Sequence, residues 1–116
     1  MNTNSVIDLP IFEALKEAMG ADYIGELVQA YFDETPPLLS KLKQALASQD
    51  CEEFRRAAHS IKSTSNSFGA LELGALAREL EFMGREARLE GAAGKVATLE
   101  KEYGIVQKKL EELCHD

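Results

Sequence analysis

Basic residues are in short supply: 13 Lys and Arg stand against 20 Asp and Glu in 116 residues, a formal net charge of −7. A general nucleic-acid binder needs a basic face to neutralise phosphates, and attraction to an anionic membrane surface needs the same, so the charge argues against both. Cysteine is nearly absent. Cys51 and Cys114 are too few and too far apart for a disulfide scaffold or a structural zinc site, and free thiols are expected. No stretch approaches a membrane-spanning length without charges, and Met1 to Asp8 lacks the basic region and apolar run of a secretory signal. A soluble, cytoplasmic protein is the expectation. Length is limiting too: 116 residues leave no room for an ATP-binding domain beside anything else, nor for a doubly wound dinucleotide fold, so a single domain over residues 1–116 is expected.

What is present is enough apolar material for one core, 45% of residues, arranged with helical periodicity almost throughout. Asp8 is placed to cap a short first helix, with Pro10 in its first turn, Phe12, Leu15 and Met19 on its buried side, and Gly20 as its stop. Asp22 is expected to open a long segment carrying Ile24, Leu27, Val28, Tyr31 and Phe32, then Leu38, Leu39, Leu42 and Leu46. Two prolines interrupt it. Pro36 and Pro37 remove two backbone donors and disfavour helix in the residue before them, which predicts a kink or break, with Thr35 capping the second half. Asp50 followed by Glu53 resembles a capping box and opens a third helix that runs to Phe68, with Gly69 as its stop. A fourth carries Leu73, Leu76, Ala77, Leu80, Met83 and Ala87; Gly91 and Gly94 mark a turn. Val96, Leu99, Tyr103, Val106, Leu110 and Leu113, in steps of three and four, form the seam of the last. Short connections then predict an all-α, antiparallel up-down four-helix bundle with a short extra N-terminal helix.

The third helix carries the chemistry. At about 100° per residue, Phe54, Ala57, Ala58, Ile61, Ser65 and Phe68 fall in one arc that must face the core. His59 lies roughly 140° from the centre of that arc, on the solvent side. Its helical neighbours there are Glu52, Arg55, Arg56, Lys62, Ser63 and Asn66. Three cations around one exposed imidazole, in a chain that is acidic as a whole, suit a group that must receive or carry an anion.

The run His59, Ser60, Ile61, Lys62, Ser63, with Gly69 and Ala70 ten and eleven residues after the histidine and Leu80-Glu81 further on, resembles the signature of bacterial histidine-containing phosphotransfer (HPt) domains. The resemblance covers nearly the whole chain. It implies a four-helix bundle in which an exposed histidine accepts a phosphoryl group from an aspartate of one receiver domain and passes it to another. His59 would then be the phosphorylated residue and Lys62 would neutralise the phosphoryl oxygens. Glu81, at a position often Gln or Glu in the family, would orient the imidazole. Arg55, Arg56, Ser63 and Asn66 would face the partner. The family usually has glycine where this chain has Ser63, a small residue that still leaves room for a partner's loop. The implied partners are receiver domains of hybrid sensor histidine kinases and of response regulators. The implied chain is a monomeric phosphoryl carrier with no cofactor of its own, Mg²⁺ being supplied by the receiver.

Other readings are weaker. A di-iron bundle needs Glu-x-x-His on two helices, and Glu112 to His115 is matched by no second copy, since Arg56 precedes His59 at that distance. Gly91 to Lys95 is too short for a phosphate-binding loop and follows no strand. A helical adaptor that binds a partner through an apolar groove, with His59 incidental, shares most of these features and differs only in what the histidine does.

Overall fold

The computed structural model describes residues 6–114, arranged as α1 (Leu9–Met19), α2 (Ile24–Ser48), α3 (Cys51–Ser67), α4 (Leu71–Arg85) and α5 (Ala92–Leu113). Helices are the only regular structure among the described residues, and none is long and apolar enough to cross a membrane. Around the bundle, α2 and α4 each pack against α3 and α5, while α1 lies across one end against α2 and α3. His115, and with it the Glu-x-x-His spacing at the C-terminus, lies outside the described residues, as do residues 1–5.

The helix ends are set by local chemistry. Asp8 Oδ1 accepts from the Ile11 amide at 3.1 Å and Asp50 Oδ1 from the Glu53 amide at 3.1 Å, each satisfying a donor the first turn would leave unpaired. At the α3–α4 turn, Gly69 has φ +88° and its carbonyl accepts the Asp8 amide at 2.8 Å, which ties the start of α1 to the turn. A Cβ at Gly69 would stand 2.8 Å from the Asp8 carbonyl oxygen, so glycine is required there for conformation and for space.

The core follows the helical arcs. Tyr31, Leu42, Phe54, Ile61, Leu73, Leu80, Leu99, Val106 and Leu110 are fully enclosed, and the Tyr31 ring lies 5.0 Å from Phe68 and 5.7 Å from Tyr103, centre to centre. The Tyr31 hydroxyl and Ser65 Oγ, 2.8 Å apart, form a buried hydrogen bond between α2 and α3. Burial, only partly offset by that bond, pushes the Tyr31 phenol well above its ordinary value.

Several expectations are corrected. Of the kink or break expected at Pro36-Pro37, no break forms: α2 runs uninterrupted from Ile24 to Ser48. Both prolines face solvent, so the carbonyls of Phe32 and Asp33, whose helical donors they remove, lie on the wetter side of the helix, while Tyr31, Thr35, Leu39 and Leu42 keep the inner face continuous. Thr35 is therefore not a cap but a buried residue on that face. Helix α2 begins at Ile24 rather than Asp22, because the Gly20 carbonyl accepts both the Tyr23 and Ile24 amides in a turn. Met19 is exposed, since the packing side of α1 is anchored by Phe12. Ala87, with φ +57°, belongs to the α4–α5 turn, and Gly94 lies inside α5.

Candidate functional site

Helix α3 presents His59 as the helical arc requires. Phe54, Ala57, Ala58, Ile61 and Ser65 are buried, and the His59 side chain is 55% exposed. What the sequence could not show is how closely α4 approaches behind it. Gly84 and Gly74 lie on the α3 side of α4, where a Cβ at Gly84 would stand 3.0 Å from the Arg55 backbone and one at Gly74 would collide with the Asn66 side chain. With no side chain at Gly84 the two backbones come close enough for residues of α4 to reach α3 polar groups directly.

Glu81 does so. It is on the inner edge of α4, and its side chain is only 5% exposed. One carboxylate oxygen, Oε2, lies 2.9 Å from His59 Nδ1; the other, Oε1, lies 2.7 Å from Lys62 Nζ. A third cation, Arg85, one turn along α4, approaches Oε2 with Nη2 at 3.4 Å. Burial by itself would raise the Glu81 carboxyl, but the hydrogen bonds from Lys62 and His59 and the charge of Lys62 outweigh it and hold the group below the ordinary carboxylate value. It is therefore ionised at neutral pH. An ionised carboxylate has no proton to give, so the His59–Glu81 bond requires the proton on Nδ1. In the neutral form of the ring the lone pair is then on Nε2.

The remaining predicted residues separate into groups. Arg55 and Arg56 both turn to Glu52: Arg55 Nη2 reaches Oε2 at 2.6 Å and Arg56 Nε reaches it at 3.3 Å. The hydrogen bond from Arg55 is the main cause of a lowered Glu52 carboxyl. The cations nearest the His59–Glu81 pair are thus Lys62, which the sequence indicated, and Arg85, which it did not. Ser63 lies with His59 on the wall of an open groove of about 640 Å³ between α2 and α3. Asn66 stands apart from that groove, two turns along α3, with its side chain against Gly74. Among the described residues no cluster of His, Cys, Asp and Glu is arranged to hold a metal ion.

The site is thus an exposed imidazole on a helical bundle, backed by a buried carboxylate and flanked by cations. The chain belongs to the Hpt domain family, the histidine phosphotransfer domains of two-component phosphorelays, which matches over residues 26–115. It is similar to the sensor protein TorS of Escherichia coli (strain K12), 32% identical over 102 residues, a match covering 86% of this chain but only 11% of TorS. Histidine-containing phosphotransfer protein 4 of Arabidopsis thaliana is 28% identical over 101 residues, 85% of this chain and 80% of that protein. The crystal structure of histidine-containing phosphotransfer protein B (HptB) from Pseudomonas aeruginosa PAO1 superposes with a TM-score of 0.91, covers 97% of both chains and shares 26% identity. The all-helical bundle read from the sequence is the fold of that protein.

Proposed function

We propose that His59 is the phosphoryl-accepting residue of this chain and that it shuttles the group between aspartates of receiver domains. The observation that carries this reading is the buried Glu81 carboxylate 2.9 Å from His59 Nδ1, which directs the free lone pair to Nε2. In the forward step that lone pair attacks the phosphorus of a receiver's aspartyl phosphate in line. The bond from phosphorus to the aspartyl oxygen breaks, the aspartate leaves as a carboxylate, and a phosphorus–Nε2 bond forms. The ring now carries the positive charge of an imidazolium, its proton still on Nδ1. Glu81 faces that proton and stabilises the charge. Lys62, one helical turn from His59, swings from Glu81 Oε1 to the phosphoryl oxygens. Transfer onward is the same step reversed with a second receiver.

The chain acts as a carrier in this scheme. The aspartate that gives or takes the phosphoryl group, and the Mg²⁺ that neutralises it there, belong to the receivers of hybrid sensor kinases and response regulators. Such receivers work in the cytoplasm, and the chain joins them there as a monomer kept apart from its copies by a net charge of −7. Incubation with a phosphorylated receiver is expected to place acid-labile, alkali-stable phosphate on Nε2 of His59. His59→Ala is expected to abolish it with an unchanged helical circular dichroism spectrum. Undiminished labelling of that variant would overturn the assignment of His59, and a wild type that takes no label would favour a helical adaptor.

A further inference from the structure

The two sides of His59 differ in charge. Towards α4 stand Lys62 and Arg85, gathered on Glu81. Towards α2 the groove wall presents Asp33 and Glu34, then Pro37 and Leu38, with Lys41 beyond. Asp33 accepts a hydrogen bond from Gln29 on its own helix at 3.0 Å, and among the described residues neither Asp33 nor Glu34 enters an ion pair. Both are exposed. They stand on the rim of the groove that opens beside the reacting imidazole, so a receiver domain that reaches His59 also covers them.

That geometry restricts the incoming surface. A partner that delivers an aspartyl phosphate brings a cluster of negative charge, which Lys62 and Arg85 attract and Asp33 and Glu34 repel. The acidic part of the partner is therefore turned towards α4. The part that then lies over α2 must offset two carboxylates, because a further acidic group there would be repelled across a partly dehydrated gap. Pro37 and Leu38, between the carboxylates and Lys41, give an apolar side chain somewhere to rest.

We propose that Asp33 and Glu34 determine which receivers this chain serves, by pairing with a basic side chain that flanks an apolar one on the receiver's docking surface. The inference rests on the phosphotransfer reading and adds to it the sign and place of the partner's charge. Asp33 and Glu34 reject receivers that carry an acidic residue at that place and fix the angle at which an accepted one arrives.

The test is transfer from a panel of phosphorylated receiver domains to the wild type and to D33K/E34K. With receivers that serve the wild type, kcat/KM of the variant is expected to fall about ten- to a hundredfold at low salt, mainly through KM, with the gap narrowing as salt is raised above 0.1 M, where the screening length drops below about 10 Å. One Lys→Glu or Arg→Glu change at the rim of such a receiver's active site is expected to restore transfer to the variant. Phosphoramidate, a small anionic donor that needs no docking surface, is expected to label His59 in the variant at least as fast as in the wild type. That arm separates two failures. Absence of phosphoramidate labelling at His59 in the wild type removes the phosphotransfer reading itself. Labelling by phosphoramidate combined with equal receiver transfer to wild type and variant at every salt concentration overturns the acidic-wall proposal alone. Sedimentation that shows a wild-type dimer lost in D33K/E34K also overturns it, because the wall is then a contact between copies of the chain.

Discussion

Replacing Gly84 with alanine tests whether the spacing of α3 and α4 controls the chemistry of His59. The added Cβ would stand 3.0 Å from Arg55 N, Cα and Cβ, all fixed to the α3 backbone. Carbon atoms rest at about 3.5–4.0 Å, so the helices must part locally by roughly 0.5–1 Å. Arg55 is one turn before His59 on α3, and Glu81 is one turn before Gly84 on α4, so the displacement reaches the pair that matters. The 2.9 Å contact between His59 Nδ1 and Glu81 lengthens to about 3.4–3.9 Å, beyond hydrogen-bond range. Overpacking costs about 1–3 kcal/mol and the better helix propensity of alanine returns about 1, leaving a net loss of about 0–2 kcal/mol and a fall in Tm of at most about 10 °C. The bundle therefore survives. Transfer is expected to slow by about tenfold to a hundredfold, since a misplacement of about 1 Å at a reacting group has that effect. Gly74→Ala is the control: the atoms nearest its Cβ all belong to the side chain of Asn66, an exposed residue, and none to the α3 backbone, so Tm is expected to hold or rise with transfer unchanged. The readouts are initial transfer rates, thermal melts, and the ring nitrogen resonances of His59. A Gly84→Ala protein with the wild-type rate and an unshifted Nδ1 signal would refute the reasoning.

Glu81→Gln keeps an acceptor for His59 Nδ1 and removes the charge that Lys62 and Arg85 share. Because the folded Glu81 carboxyl lies below its ordinary value of 4.5, the stability it contributes is complete above that value and is lost as pH falls through the lower, folded one. Unfolding free energies of wild type and Glu81→Gln are expected to converge as pH falls below 4.5; curves that stay parallel from there down to pH 2 would show that the carboxylate is not held by its cations. Phe54→Ala and Ile61→Ala, at positions 0% and 1% exposed, open core cavities and are expected to cost about 2–5 kcal/mol each. Melts near wild type for both would contradict the packing of α3.

The orientation of α3 was readable because its apolar arc is unbroken: six core positions leave a single face for His59, and no tertiary detail is needed to place it. Asp8, Asp50, Gly20 and Gly69 were equally readable, since a cap or a stop is a local matter. The course of α2 was not. Local rules see two missing donors at Pro36 and Pro37, whereas the bundle sees a continuous buried face from Tyr31 to Leu42 and prolines that point outward. The burial of Glu81 is not legible in the sequence, because it depends on the approach that Gly84 permits between two helices. Arg85 escaped notice for the same reason. It acquires a place at the site only once Glu81 is known to face His59 and Lys62, and Arg55 and Arg56, so prominent beside the histidine in sequence, are held by Glu52.

The hydroxyl pair of Tyr31 and Ser65 acts on this site from a distance. Helices α2 and α3 run in opposite directions, so six residues up α2 from Tyr31 and six back along α3 from Ser65, each a rise of about 9 Å, lead to Pro37 and His59 at one level. The same count sets Asp33 against Ser63, and all four line the groove. A hydrogen bond of 2.8 Å in a dry core tolerates little sliding, whereas apolar side chains slip past one another at small cost. Tyr31 and Ser65 thus work as a locating pin. They fix the vertical scale on which a partner finds the imidazole, and a slip of one turn, about 5.4 Å, would bring Lys41 level with His59 in place of the proline.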